Sequence, residues 1–219
     1  MDEVLVGADE AGRGPVLGSM IVGAVATTDP ALLPAGIRDS KELDDPEREI
    51  LAEELREACV IDTAYCEVTP REIDSDAGSL NDLTIAAMVD AVGSVLPASV
   101  KTATVRLDAC DVDPDRFGNR VRKRLSRDAR VIAEHEADRI HPIVGAASVI
   151  AKSERERHVA RLAAEFGDIG SGYPSDPTTA SFLEAYVDEY GDLPPIARRS
   201  WRTSERLLER VNRSELADF

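Results

Sequence analysis

The stretch that most constrains the fold lies near the start of the chain, where two apolar runs flank one short turn. VLVGAD at 4–9 predicts a buried strand, and LGSMIVGAVAT at 17–27 predicts a second strand. Only the turn GRGP at 12–15 separates them, so we expect an antiparallel hairpin. Asp9 and Glu10 end the first strand, which places two adjacent carboxylates at an edge of the predicted sheet.

Beyond this hairpin, strand and helix patterns alternate along the first two-thirds of the chain. Further strands are predicted at 60–68, at 102–108 and from 130 onwards. The predicted helices cover 44–58, 79–96, 113–125, 143–166, about 178–190, and the C-terminal SWRTSERLLERV. This order predicts an α/β fold with a central mixed β-sheet flanked by helices, plus a helical C-terminal part. We expect a catalytic domain over 1–170 and a helical extension over 171–219 packed on it.

Four carboxylates stand at or just beyond predicted strands. Asp9 and Glu10 end the first strand, Asp108 ends a later strand, and Asp138 lies between another strand and the longest helix. Converged carboxylates raise one another's pKa unless a cation joins them, and Mg²⁺ prefers such oxygen ligands. Two such ions can stabilise the attacking and leaving oxygens of a phosphodiester. In a chain with 42 acidic residues a single aspartate is commonly a solvated surface group, and only the strand-end position distinguishes these four.

The turn Gly12-Arg13-Gly14 suggests a ligand contact. Glycines let the backbone approach a ligand closely, and an arginine between them can bind a phosphate through its forked guanidinium. A plain tight turn is the alternative interpretation.

The charge composition points to a salty environment. The chain has 42 acidic and 26 basic residues, a net charge of −16, and only four lysines. Such acidity usually counts against nucleic-acid binding, but a surface rich in carboxylates and poor in lysine suits molar salt, where ions screen self-repulsion. An ordinary acidic protein is the alternative. With no leader and no long apolar run, we expect a soluble, cytoplasmic protein without membrane contact.

Five blocks together resemble one family, type 2 ribonuclease H, also called ribonuclease HII. They occur in the family's order over Val4–Ser204. SWRTS near the C-terminus resembles the archaeal branch of the family, and the acidic, lysine-poor composition indicates a halophile. The blocks are DEAGRG at 9–14, DSKEL at 39–43, LDACD at 107–111, EADRIHPIVGAASVIAKSERER at 136–157 and SGYPSDP at 171–177.

The resemblance implies an RNase H-like fold and a metal-dependent endonuclease. It would hydrolyse the RNA strand of RNA/DNA hybrids and incise 5′ of single ribonucleotides in duplex DNA, leaving 3′-hydroxyl and 5′-phosphate ends. The implied cofactor is Mg²⁺ or Mn²⁺, as two ions. The catalytic metal ligands would be Asp9, Glu10, Asp108 and Asp138, with Asp9 shared between the ions.

The resemblance also implies a set of substrate contacts. Gly12, Arg13 and Gly14, with Tyr173, would recognise the 2′-hydroxyl, the group that separates RNA from DNA. Lys41 and Lys152 would bind phosphates. We expect a monomer, and the C-terminal SELADF has no clear pattern for binding a sliding clamp.

Two rival functions remain open at this stage. One is a different metal nuclease of the same fold class, such as a resolvase or an integrase-like enzyme, although the GRG and GYPSDP blocks suit ribose recognition better. The other is a non-catalytic protein that binds hybrids. The basic segment 115–130 either follows a nucleic-acid backbone or balances nearby aspartates.

Overall fold

The structure is a computed structural model that describes residues 3–39, 44–75, 78–96, 100 and 102–217. The chain divides into two compact units. The sheet unit comprises Met1–Ala11, Ile21–Glu67 and Gly78–Arg155, and the helical unit comprises Gly12–Met20, Val68–Ala77 and Glu156–Phe219. The division into 1–170 and 171–219 stays a prediction.

One five-stranded mixed sheet forms the centre of the sheet unit. Its strands are β1 (Val4–Ala11), β2 (Met20–Thr27), β3 (Ile61–Val68), β4 (Ala103–Asp108) and β5 (Arg130–Glu134), in the order β3-β2-β1-β4-β5. β1 pairs antiparallel with β2, as the short turn predicted, and parallel with β4, which pairs parallel with β5. The predicted mixed sheet is therefore confirmed.

The helices agree with the predicted ones to within one or two residues, except at the C-terminus. They are α1 (Asp45–Glu57), α2 (Pro70–Ile73), α3 (Leu80–Val95), α4 (Pro114–Arg124), α5 (Ala137–Ile140), α6 (Pro142–Phe166), α7 (Pro177–Tyr190) and α8 (Arg202–Ala217). Capping boxes begin α1 at Asp44 and α3 at Ser79. The short helices α2 and α5 were not predicted, because four residues leave no periodic pattern.

The long helix α6 approaches the sheet through glycines. A Cβ added at Gly7 of β1 would overlap the main-chain carbonyl of Ile143, and one added at Gly23 of β2 would lie 2.8 Å from the nitrogen of Ala151. Only glycine allows this approach. It fixes α6 over the β1–β2 pair, in a core that also includes Val25, Leu55 and Ile150.

The helical unit has an aliphatic core of its own. The core gathers residues of the turn before β2, the end of α6, α7 and α8. Its buried members are Val16, Leu17, Ile169, Leu183, Val187, Leu193, Ile196 and Ala197. An isolated bridge between Leu17 and Ala197 joins the turn to the segment before α8. In the ranges described above, no helix is long and apolar enough to cross a membrane.

Candidate active site

The parallel pairing of β1 with β4 brings two of the predicted carboxylates to neighbouring positions. Ala8 lies opposite Leu107, so Asp9 and Asp108 follow this pair on adjacent strands. Asp9 and Glu10 do not terminate β1 as expected, because pairing with β2 continues as far as Ala11. Asp9 is therefore a buried residue inside the sheet, only 5% exposed.

Burial raises the pKa of Asp9 to about 7, and the negative charges of Asp108 and Asp138 add to the rise. The Ser148 hydroxyl and the main-chain N–H of Glu10, which donates to Asp9 Oδ1 over 2.7 Å, act in the opposite direction. Three carboxylates from distant parts of the chain thus interact strongly at one place. Glu10 is half-buried beside Asp9, and its role stays a prediction.

The connection from β5 to α5 places the other two carboxylates of the cluster. Glu136 adopts a left-handed conformation, with φ of 54°, and the next main-chain N–H, of Ala137, donates to Asp108 Oδ1 over 2.7 Å. This turn starts α5 and buries Asp138, which is 8% exposed. Asp108 therefore has a fixed orientation before any ligand binds.

Helix α6 supplies polar side chains to the same unit. Ser148, whose hydroxyl interacts with Asp9, is buried in its first half. Lys152 follows four residues later and is half-buried, so the two lie on one face of the helix. The phosphate-binding role of Lys152 stays a prediction, and Lys41 lies outside the residues that the structure describes.

The donor set fits a hard divalent cation by its chemistry. In the part of the chain that the structure describes, no group of three or more His, Cys, Asp or Glu side chains is arranged to hold a metal ion. The charges of Asp108 and Asp138 nevertheless disfavour the charged form of the buried Asp9, and a cation with oxygen ligands would relieve this repulsion.

The helical unit brings together two of the residues expected to contact substrate. Gly12 is buried with φ of 82°, and a Cβ added at Gly14 would lie 3.4 Å from ring atom Cε1 of Tyr173. Arg13 is half-buried, and Tyr173 is 45% exposed. Gly14 of the turn and the ring of Tyr173 therefore lie beside each other within this unit.

Sequence reasoning missed the residues that hold this turn. The guanidinium of Arg198 donates to three main-chain carbonyls of the turn, and the indole of Trp201 donates to a fourth. The Nε2 of His158, on α6, accepts from the N–H of Ser19 just after the turn. The available signal for Arg198 was its position directly after the apolar pair Ile196-Ala197.

Three other basic side chains of the sheet unit have structural partners. On α4, Arg116 pairs with Asp111 and Arg120 pairs with Asp82, so these two arginines balance aspartates. His141 hydrogen-bonds Glu134 over 2.6 Å, which occupies the ring in an ion-pair network.

The comparisons with known proteins agree on one family. A family model described as Ribonuclease HII matches residues 6–204. Proteins named Ribonuclease HII from Haloarcula marismortui and Natronomonas pharaonis, both halophilic archaea, are each 49% identical to this chain. The alignments cover 97% and 98% of this chain, respectively, and 99% of each relative.

Solved structures give the same result. The ribonuclease H2 of Pyrococcus horikoshii OT3 superposes with a TM-score of 0.86 at 41% identity, covering 95% of this chain and 99% of that one. The RNase HII in the PCNA complex of Archaeoglobus fulgidus gives 0.80 at 37%, covering 93% and 96%. A Bst-RNase HIII structure with Mn²⁺ gives 0.75 at 19%, covering 97% and 71%, and shows the fold alone.

Proposed function

The chain belongs to the ribonuclease HII family, and on this premise we propose that it cuts RNA at two kinds of site. It hydrolyses the RNA strand of RNA/DNA hybrids, and it incises 5′ of single ribonucleotides in duplex DNA, leaving 3′-hydroxyl and 5′-phosphate ends. The observation that carries the proposal is the carboxylate cluster, in which burial and the charges of Asp108 and Asp138 raise the pKa of Asp9 to about 7. Such a site favours a bound cation over three bare charges.

In this proposal two ions of Mg²⁺ or Mn²⁺ would be held by Asp9, Glu10, Asp108 and Asp138. When bound, such ions polarise the phosphodiester and lower the pKa of the attacking water. The chain contributes orientation. The N–H of Ala137 holds Asp108, and the Ser148 hydroxyl and the N–H of Glu10 stabilise the charged form of Asp9.

Recognition of the ribose is assigned to the glycine turn and Tyr173. The 2′-hydroxyl both donates and accepts hydrogen bonds, and main-chain N–H groups of the turn Gly12-Arg13-Gly14 can donate to its oxygen. The half-exposed ring of Tyr173 lies against this turn and can pack on the adjacent sugar. Lys41 and Lys152 complete the proposal as phosphate contacts.

The proposed partners are the nucleic acids themselves, bound by a monomer in the cytoplasm. The Archaeoglobus fulgidus neighbour was solved in complex with PCNA, so a sliding clamp is the protein partner to test first.

Cleavage of a labelled DNA duplex carrying one ribonucleotide tests the proposal. With Mg²⁺ or Mn²⁺ at high salt, we expect a cut on the 5′ side of the ribonucleotide. Asp108→Asn should lower kcat by at least roughly 10²-fold, because the site loses a charged metal ligand. Asp62→Asn is the matched control, since Asp62 is exposed on β3, and should cut like the wild type.

Other results would each remove a defined part of the proposal. Cleavage of a long hybrid without cleavage at a single ribonucleotide would remove the 2′-hydroxyl role of the glycine turn and Tyr173. Binding of hybrids without any cutting would leave the non-catalytic rival. Cutting of an all-DNA four-way junction would instead favour a resolvase.

A further inference from the structure

We infer that Arg198 is a positioning residue that sets the shape of the ribose-reading turn. The inference rests on the proposed function, because it assigns a cause to the preference for ribonucleotides. Arg198 is 0% exposed, although arginine is rarely buried completely. Its burial therefore calls for partners that fully occupy its donors.

Those partners are main-chain carbonyls of the turn over residues 12–18. Nη2 donates to the oxygen of Gly12 over 2.6 Å, Nη1 to that of Arg13 over 2.8 Å, and Nε to that of Gly18 over 2.9 Å. The guanidinium is planar and rigid, so three bonds to three carbonyls define the path of the turn more tightly than a single flexible donor could.

Trp201 extends the same support. Its Nε1 donates to the oxygen of Gly14 over 3.1 Å, and its ring stacks on Arg198, 4.8 Å from ring centroid to guanidinium carbon. The carbonyls of Gly12, Arg13 and Gly14 are thus all bound to these two side chains.

The direction of these carbonyls determines the direction of the neighbouring N–H groups. In a trans peptide the C=O of one residue and the N–H of the next point in opposite directions. With the carbonyls of Gly12 and Arg13 bound to Arg198, the N–H groups of Arg13 and Gly14 point away from the guanidinium. Pro15 has no N–H, so these are the two N–H groups whose direction Arg198 sets here.

The segment that carries Arg198 is itself fixed from both sides. The N–H of Arg198 donates to the oxygen of Val16 over 2.8 Å, and the N–H of Gly18 donates to the oxygen of Ile196 over 2.8 Å. The carboxylate of Asp74 accepts from the N–H groups of Arg199 and Ser200 over 2.7 and 3.0 Å. The main chain around Arg198 is therefore held in place, and its side chain extends from this fixed segment to the turn.

The preference for a ribonucleotide, measured as the ratio of affinities for a duplex with and without one, separates this role from a merely structural one. Asp108→Asn serves as the background, so that the substrate is bound and not cut. Dissociation constants are measured for a DNA duplex with one ribonucleotide and for the same duplex without it. A loss of folded protein weakens both affinities equally and leaves their ratio unchanged.

We expect Arg198→Lys to reduce the ratio roughly tenfold or more, since misplacing a recognition group by about 1 Å can lower its effect up to a hundredfold. Trp201→Phe keeps an aromatic ring beside Arg198 but removes the indole N–H that bonds to Gly14, so it should reduce the ratio less. Arg199→Lys is the matched control, because the exposed Arg199 pairs with Asp192 on the surface, and it should leave the ratio unchanged. In otherwise wild-type enzyme, Arg198→Lys should lower kcat/KM at single ribonucleotides by a similar factor.

The outcomes separate the inference from the proposed function. If the parent prefers the ribonucleotide and both Arg198→Lys and Trp201→Phe keep the full ratio, the inference is wrong and the proposed function stands. If Arg198→Lys does not fold, as judged by circular dichroism, an unchanged ratio in Trp201→Phe overturns the inference and a reduced ratio supports it. If the wild type neither cuts at nor prefers the ribonucleotide, both fail.

Discussion

The carboxylate cluster of the sheet unit and the glycine turn of the helical unit handle buried polarity in opposite ways. At the cluster, like charges from β1, β4 and α5 interact, and burial makes the charged form of Asp9 unfavourable. At the turn, carbonyl oxygens meet a buried cation that belongs to the chain. Repulsion between like charges identifies the place where an external cation can act, whereas carbonyls bound by a cation of the chain identify a shape fixed before the ligand arrives.

The largest expected effect follows from removing a charge at the cluster. Asp9→Asn should lower kcat by at least roughly 10²-fold, because the proposed site loses one of its charged metal ligands. The same change should stabilise the metal-free protein at pH 8 by about 1–3 kcal/mol, since the buried charge disappears. Urea unfolding in excess chelator measures this, with Asp62→Asn as control. A destabilised Asp9→Asn protein would contradict the comparison.

The pH dependence of the same measurement has a defined sign. The pKa of Asp9 rises from 3.8 in the unfolded chain to about 7 in the folded protein. Between these values the folded state binds more protons, so this group makes the free energy of unfolding fall as pH rises to about 7. Asp9→Asn should remove that part of the slope, and an unchanged slope would show that Asp9 does not titrate in this range.

A smaller effect tests how the cluster is supported. Gly7→Ala places a Cβ against the carbonyl of Ile143 and should destabilise the protein by about 1–3 kcal/mol, because α6 must shift. Gly93→Ala is the matched control, since a Cβ there meets nothing within 4 Å. In the interior of α3 it should stabilise the protein by about 0.5–1 kcal/mol. Thermal unfolding of both variants measures the difference, and equal shifts would contradict the close approach of α6.

The helical unit should respond to loss of a polar group in the opposite sense to the cluster. Thr179 is 0% exposed, and its hydroxyl donates to the oxygen of Ile169 and accepts from the N–H of Gly172, next to Tyr173. Thr179→Val should cost about 1–3 kcal/mol, because two buried main-chain groups lose their partner. Thr178→Val, at a half-buried neighbour, should change urea unfolding little. A Thr179→Val variant with an unchanged free energy of unfolding would show that this unit tolerates main-chain polar groups without partners.

The smallest expected effect concerns salt. With a net charge of −16, the protein repels a nucleic acid at low salt, and screening shortens that repulsion to about 3 Å at 1 M salt. We expect activity to persist in molar KCl, because the turn and the metal ligands act at contact distance. An activity that peaks below about 0.15 M and then disappears would contradict the interpretation of the acidic surface.

The sequence predicted the parts of the molecule that depend on local pattern. Apolar runs gave β1 and β2, and the helices predicted over 44–58 and 79–96 begin at the residues that cap α1 and α3. The convergence of Asp9 with Asp108 was also predictable, because both follow apolar strands and parallel neighbours share an edge.

The remaining features depend on long-range packing that leaves no local pattern. The extension of β1 past Asp9 follows from its pairing with β2, which a charged sequence conceals. The left-handed Glu136 is set by the turn that delivers the N–H of Ala137 to Asp108. Arg198 looked like one surface arginine among many, since its partners lie near the other end of the chain.

The hydrogen bonds from Arg198 also affect the order in which parts of the chain reach their final structure during synthesis. The carbonyls it binds belong to residues 180 to 186 positions earlier in the chain. Because synthesis proceeds from the N-terminus, the first strand leaves the ribosome long before the residue that shapes its turn. A nascent chain that ends before residue 198 has all four proposed metal ligands but lacks the arginine that hydrogen-bonds the glycine turn. Under the proposed function, selectivity for ribose is thus acquired last, once the segment that carries Arg198 has been made and folded.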